Sequence, residues 1–194
     1  NTAKDQTAIV TAQITDANGV LHPYGENTFF YYLNGPAKII SLENGDPTDS
    51  TKNYGVLHRK AFMGLSNAFV QMEENEKPVN MIVGGIFGEK QLRNSKLVSI
   101  NVKTLALRGK ATLSEMKIYY TTDGSLPTRN STIYTQAFNV ALGTIVKAIV
   151  VSEDKIILKM EEECRNEIEM CVNQASSESL PDPFATDWSA ISNR

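Results

Sequence analysis

Short runs of β-branched and aromatic residues, each closed by a turn signal, recur along this chain and restrict it to an all-β architecture. Residues 8–14 alternate roughly between apolar and polar, and Asp16-Ala17-Asn18-Gly19 follows. Asn-Gly readily takes the positive φ that a hairpin needs. Thr28-Phe29-Phe30-Tyr31-Tyr32-Leu33 reads as a strong strand, stopped by Asn34-Gly35-Pro36. Residues 37–42 form the next run, which ends at Asn44-Gly45-Asp46-Pro47. Residues 46–60 are polar and turn-rich and read as a long loop. Residues 68–72, 79–87 and 97–104 are further strands. About seven short strands within about 100 residues is the spacing of an immunoglobulin-like sandwich.

A second all-β unit begins near Leu107-Arg108-Gly109, with strands expected at 117–122, 133–135, 137–140 and 144–151. Asp123-Gly124-Ser125 supplies a hairpin turn, and Pro127 ends the ladder because it has no N–H to donate. A unit this small buries about 60% or less of its surface, so it is expected to pack on the first. The predicted fold is therefore mainly β, with two tandem antiparallel β-sandwich domains. Residues 1–106 form the immunoglobulin-like sandwich, 107–162 the smaller module, and 163–194 a weakly structured tail. Residues 156–160 read as a last strand, yet Ile157, Met160, Cys164, Ile168, Cys171 and Ala175 fall at helical spacing.

The chain has 194 residues, 41% hydrophobic and 21% charged, which is globular rather than disordered. Its net charge of −3 comes from well-mixed charges, and a nucleic-acid binder would show a basic face. No apolar run approaches the roughly 18 residues needed to span a membrane. The first seven residues lack an initiator Met, a basic region and an apolar core. That predicts the interior of a longer polypeptide rather than a signal peptide. Cys164 and Cys171 pair only if the segment between them is not one helix. Seven residues of helix hold Cα atoms about 10 Å apart, beyond the roughly 7 Å limit of a disulfide.

Catalytic chemistry finds little foothold. His22 and His58 are the two histidines, and with the two cysteines they make no metal-ligand spacing. No cofactor or metal is expected. No Gly-x-Ser-x-Gly elbow occurs, and Gly84, Gly85 and Gly88 read as close packing or strand bulges rather than a phosphate loop. A glycosidase needs two carboxylates about 5 to 9 Å apart across a sugar. The acidic clusters at Glu73, Glu74 and Glu76 and at Glu161, Glu162 and Glu163 sit in polar stretches and read as solvated surface. Asp16, Asn18, Asp46 and Asp123 read as turn formers. Tyr24, Tyr54 and Trp188 lie in turn-rich segments and are candidate glycan platforms. Asn130-Ser131-Thr132 matches the glycosylation sequon.

Several segments carry a resemblance. Asp16-Ala17-Asn18-Gly19-Val20, Asn34-Gly35-Pro36-Ala37-Lys38-Ile39, Glu43-Asn44-Gly45-Asp46-Pro47-Thr48 and Arg59-Lys60-Ala61-Phe62-Met63-Gly64-Leu65 form the first set. They resemble the C-terminal immunoglobulin-like domain of glycoside hydrolase family 2 β-galactosidases. Ile118 to Thr128 resembles the fibronectin type III-associated module. The order of the two is similar to the C-terminal region of large β-galactosidases of Bacteroidetes, over about residues 8–162.

The resemblance implies a periplasmic, secreted or cell-surface parent enzyme with a catalytic (β/α)₈ barrel upstream. That barrel would carry the acid/base and nucleophile glutamates, so no catalytic residue is expected in this chain. Asn75-Glu76 and Asn166-Glu167 look like the acid/base pair only superficially. The implied role is a non-catalytic accessory region that supports the barrel and packs against other domains or subunits. Tyr54, His58, Arg59 and Lys60 in the long loop are the expected contact surface, with Arg59 or Lys60 pairing with carboxylates of the parent. The alternatives are a carbohydrate-binding module and a cell-surface adhesion module.

Overall fold

Strand β6 (Val79–Leu92) and strand β7 (Ser95–Arg108) pair along nearly their whole length and form the spine of the fold. The computed structural model describes residues 6–73, 77–92, 94–110 and 115–165. Among these, the chain makes twelve strands and no helix. Ahead of the spine come β1 (Thr7–Gln13), β2 (Thr28–Asn34), β3 (Ala37–Glu43), β4 (His58–Lys60) and β5 (Leu65–Met72). Behind it come β8 (Met116–Thr121), β9 (Thr132–Ile133), β10 (Phe138–Ala141), β11 (Ile145–Ser152) and β12 (Lys155–Glu163). All pairings of named strands are antiparallel, which agrees with the all-β expectation.

Three sheets result. One outer sheet has the order β1-β5-β3, the middle one β10-β7-β6-β2-β4, and the other outer one β12-β11-β8-β9. The middle sheet is apolar on both faces, so β2 explains itself. Side chains alternate across a strand. Phe29 and Tyr31 join Val10, Leu42, Ala68 and Val70 in one core, while Phe30 and Tyr32 pack against Val146, Val150, Leu158 and Met160 in the other. A run of four consecutive aromatics makes sense only for a strand covered on both sides.

The boundary expected at 106/107 falls inside β7, and residues from both sides of it share the second core. Ile82, Ile86, Val98 and Ile100 meet Val140, Val146, Val150 and Leu158 there. Strand β10, from the later part of the chain, hydrogen-bonds to β7 in the middle sheet. The Glu162 carboxylate accepts the Thr28 N–H at 2.9 Å, so this member of the 161–163 acidic cluster ties β12 to β2 rather than facing only solvent. Gly84 faces Met160 and Leu158 of β12. A Cβ there would stand 2.8 Å from Met160 Sδ and 3.0 Å from Leu158 Cδ1, in keeping with the close packing expected of it. Cys164 is buried in the same core, whereas Cys171 lies outside the described residues.

Tyr31 gives this packing a titratable reporter. It is 1% exposed, and its hydroxyl donates to Ser66 Oγ at 3.0 Å. Burial pushes its pKa up from 10.0 to about 12, against the smaller opposing effect of the Ser66 hydrogen bond. The fold therefore favours the neutral phenol. Its stabilising effect is complete below pH 10 and is lost as pH rises through about 12. The loss should be roughly 2–3 kcal/mol. Denaturant melts from pH 9 to 12 should decline steeply in the wild type and less so in Tyr31→Phe. Parallel curves for the two would refute the assignment.

Candidate functional site

The loop between β3 and β5 encloses a cavity of about 380 Å³, lined by Glu26, Asp46, Asp49, His58, Arg59 and Lys60 among others. Its organiser is the middle residue of the three-residue strand β4. His58 and Lys60 point outward, so alternation turns Arg59 inward, where it is 2% exposed. One guanidinium nitrogen, Nη1, donates to Asp49 Oδ2 at 2.9 Å and to Thr51 Oγ1. The other, Nη2, donates to the carbonyls of Leu42 at 2.8 Å and Lys52 at 2.7 Å, and to Asn53 Oδ1 at 2.8 Å. The planar fork of arginine suits this pattern, since it offers several donors in fixed directions. Arg59 was expected to pair with a carboxylate of another domain. Its carboxylate is instead Asp49, ten residues earlier in the same loop.

Asp49 receives hydrogen bonds from the Thr51 hydroxyl at 2.6 Å, the Thr51 N–H at 2.9 Å and Asn44 Nδ2 at 2.9 Å, besides Arg59. The Thr51 hydroxyl and amide, followed by Arg59 and Asn44, hold its pKa well below the ordinary carboxylate range. A general acid for glycoside cleavage needs the opposite shift, toward neutral pH. Asp49 is therefore a structural anion. The sign of the linkage is set by that depression. Its contribution is complete above about pH 4 and fades as acid titrates the folded carboxylate. The stability gap between wild type and Asp49→Asn should hold from pH 7 to about pH 4 and narrow only as the pH falls below that. A gap that stays constant there too would exclude this linkage.

The other carboxylates of the cavity are likewise committed. Asp46 Oδ1 accepts from the Thr48 N–H and hydroxyl, the local turn expected of it. Glu26 pairs with Lys60 at 2.5 Å, both well exposed. Asp16 and Asp123 cap their own turns in the same manner.

Of the expected contact residues, Tyr54 is 68% exposed, and His58 and Lys60 are exposed, with the His58 ring 6.0 Å from Phe30. Tyr24 is 67% exposed, and its ring meets that of His22 edge-on at 6.2 Å. Neither Tyr24 nor Tyr54 lines the cavity. Trp188, Glu74, Glu76 and the Asn166-Glu167 pair lie outside the described residues. Sequence reasoning missed the structural role of Asn44, Asp49 and Thr51. The available signal was a solitary arginine within a turn-rich loop full of side-chain acceptors.

Residues 1–85 match the family described as glycoside hydrolase family 2 C-terminal domain 5, and residues 101–160 match the family described as Fn3 associated. A protein of Formosa agariphila, provisionally named a beta-glucuronidase, is 38% identical over 154 residues. Those residues are 79% of this chain and 15% of that protein, so the chain spans a small fraction of its curated relative. The crystal structure of a beta-glycosidase from Bacteroides vulgatus overlaps 54% of this chain and 12% of its own, with 25% identity and a TM-score of 0.43. The two family matches and the relative support a C-terminal region of a glycoside hydrolase family 2 protein.

Proposed function

We propose that this chain, a C-terminal region of a glycoside hydrolase family 2 protein, is a non-catalytic support for the catalytic barrel of a larger β-glycosidase. The observation that carries the reading is the match to C-terminal domain 5 over residues 1–85. The chemistry of the enclosed cavity agrees with it. Its carboxylates are spent on the loop's own turns and ion pairs, and the titration of Asp49 is shifted away from acid catalysis. The support would act through the rigid loop presented by Arg59, with Tyr54, His58 and the exposed Lys60–Glu26 pair outermost, facing the barrel or a second subunit. Our reading of the parent's substrate is a β-galactoside, acted on in the periplasm or outside the cell. A β-glucuronide is the second reading, favoured by the name of the Formosa agariphila relative.

The purified chain should release no nitrophenol from nitrophenyl β-galactoside or β-glucuronide. Added to the upstream part of its parent lacking this region, it should restore the stability and turnover of that part. The galactoside should then be the better substrate. Turnover by the isolated chain that disappears on a single Glu→Gln substitution would reject the support role.

A further inference from the structure

A second groove, of about 800 Å³, opens at the β10 edge of the middle sheet, opposite its β4 edge. One wall is β8 with the loop leading into β9, and the other is β10, the last strand of the middle sheet. We propose that this groove is a binding site for a neutral glycan.

Three features carry the proposal. The first is an aromatic base held rigidly. The Tyr120 and Phe138 rings line the groove and stack at 4.2 Å with 20° between their planes. Tyr134 abuts both edge-on, at 6.3 Å and 6.2 Å. Both lining rings are only partly buried, so the groove keeps an apolar patch of the kind on which the C–H face of a sugar rests. The second is the rim. Ser131, Thr132 and Thr144 offer hydroxyls and Asn139 an amide, groups that donate and accept like the hydroxyls of a sugar, while the Thr121 hydroxyl already donates to the Ser125 carbonyl at 2.7 Å.

The third feature is charge. Among the described residues, Asp123 is the only carboxylate lining the groove, and no lysine or arginine lines it. Asp123 is already engaged by the Ser125 N–H at 3.0 Å and hydroxyl at 2.6 Å. An anionic ligand would meet a fixed negative charge and no cation. A neutral polyhydroxylated ligand meets partners throughout. The volume lies within the roughly 300–1,000 Å³ typical of small-ligand sites. Addition of a peptide strand to β10 is the rival, but four residues of edge give an added strand few hydrogen bonds and leave the aromatic base unused. The site follows from geometry alone. The choice of a glycan over other neutral ligands rests on the reading of the chain as part of a glycoside hydrolase.

Titration of the ¹⁵N-labelled 194-residue chain with lactose, galactobiose and cellobiose tests the proposal, with digalacturonate as the anionic probe. At least one neutral disaccharide should shift the amides of Tyr120, Thr121, Ser131 and Asn139, and digalacturonate should bind more weakly. Asn139→Ala, at an exposed position of β10, should weaken binding about tenfold, as loss of one or two ligand hydrogen bonds does. Lys38→Ala, on the opposite outer sheet, should leave it unchanged. No shift with any neutral probe overturns the proposal. So do shifts confined to Tyr24 and Tyr54, or binding of an extended peptide along β10 with none of the sugars. Hydrolysis by the isolated chain would instead remove the support role while leaving a mapped groove intact, so the two failures are distinguishable.

Discussion

Arg59→Ala is expected to lower the free energy of unfolding by about 3–5 kcal/mol, the usual cost of removing one partner from a buried ion pair. The substitution removes the cation beside Asp49, which is 15% exposed and keeps only its Thr51 and Asn44 donors, and takes a donor from each of the Leu42 and Lys52 carbonyls. Buried acceptors without donors carry the full desolvation penalty. Arg59→Lys keeps the charge but supplies one ammonium where a fork reached two sides of the loop, and should recover only part of the loss. His58→Ala and Lys60→Ala, one residue away on the outer face, should each stay within about 0.5 kcal/mol of wild type. Urea melts of the four variants make the comparison. If Arg59→Ala were as mild as its neighbours, the guanidinium would not be what organises the loop.

A chain ended at residue 106 should fail to hold a native fold, although sequence analysis draws a domain boundary there. Among the described residues, seven of the eleven buried members of the second core come from beyond that point: Val140, Val146, Ala148, Val150, Leu158, Met160 and Cys164. Each fully buried apolar side chain of this size is worth about 1.5–3 kcal/mol, and whole domains are stable by only about 5–15 kcal/mol. Their removal would also lay bare Ile82, Ile86, Val98 and Ile100 on one face of the middle sheet. We expect aggregation, or dye binding without near-ultraviolet dichroism, from such a fragment. In the whole chain, Ile86→Ala should cost about 2–5 kcal/mol and move one cooperative transition rather than split it. A soluble fragment 1–106 with a sharp melt would contradict the shared core.

Most strands were legible because their alternation and turn residues are local properties. Asn18-Gly19, Asn34-Gly35 and Asp123-Gly124 all fall where strands stop or turn. Strand β4 was not legible. His58-Arg59-Lys60 has no β-forming residue and pairs with β2 for three residues only, so it was read as part of the loop. The inward turn of Arg59 follows from that pairing and could not be inferred without it. The pairing of β10 with β7 joins residues about 40 positions apart, and no local signal specifies such a partner. The groove built on Tyr120 and Phe138 was invisible for the same reason, since the two rings meet only once β8 and β10 belong to different sheets. The four aromatics of β2 did carry a readable hint. They implied a neighbour on each side, and the structure supplies one on each side.

Strands β2 and β6 lie in the interior of the middle sheet, with a partner strand at each edge and apolar packing over each face. Solvent reaches their amides only when both outer layers have let go. In heavy water these should be the last protons to be replaced, with β1 and β9, at the outer margins, among the first to take up deuterium. A ligand or subunit that clamps either outer layer would then slow exchange on the far side of the molecule without touching it.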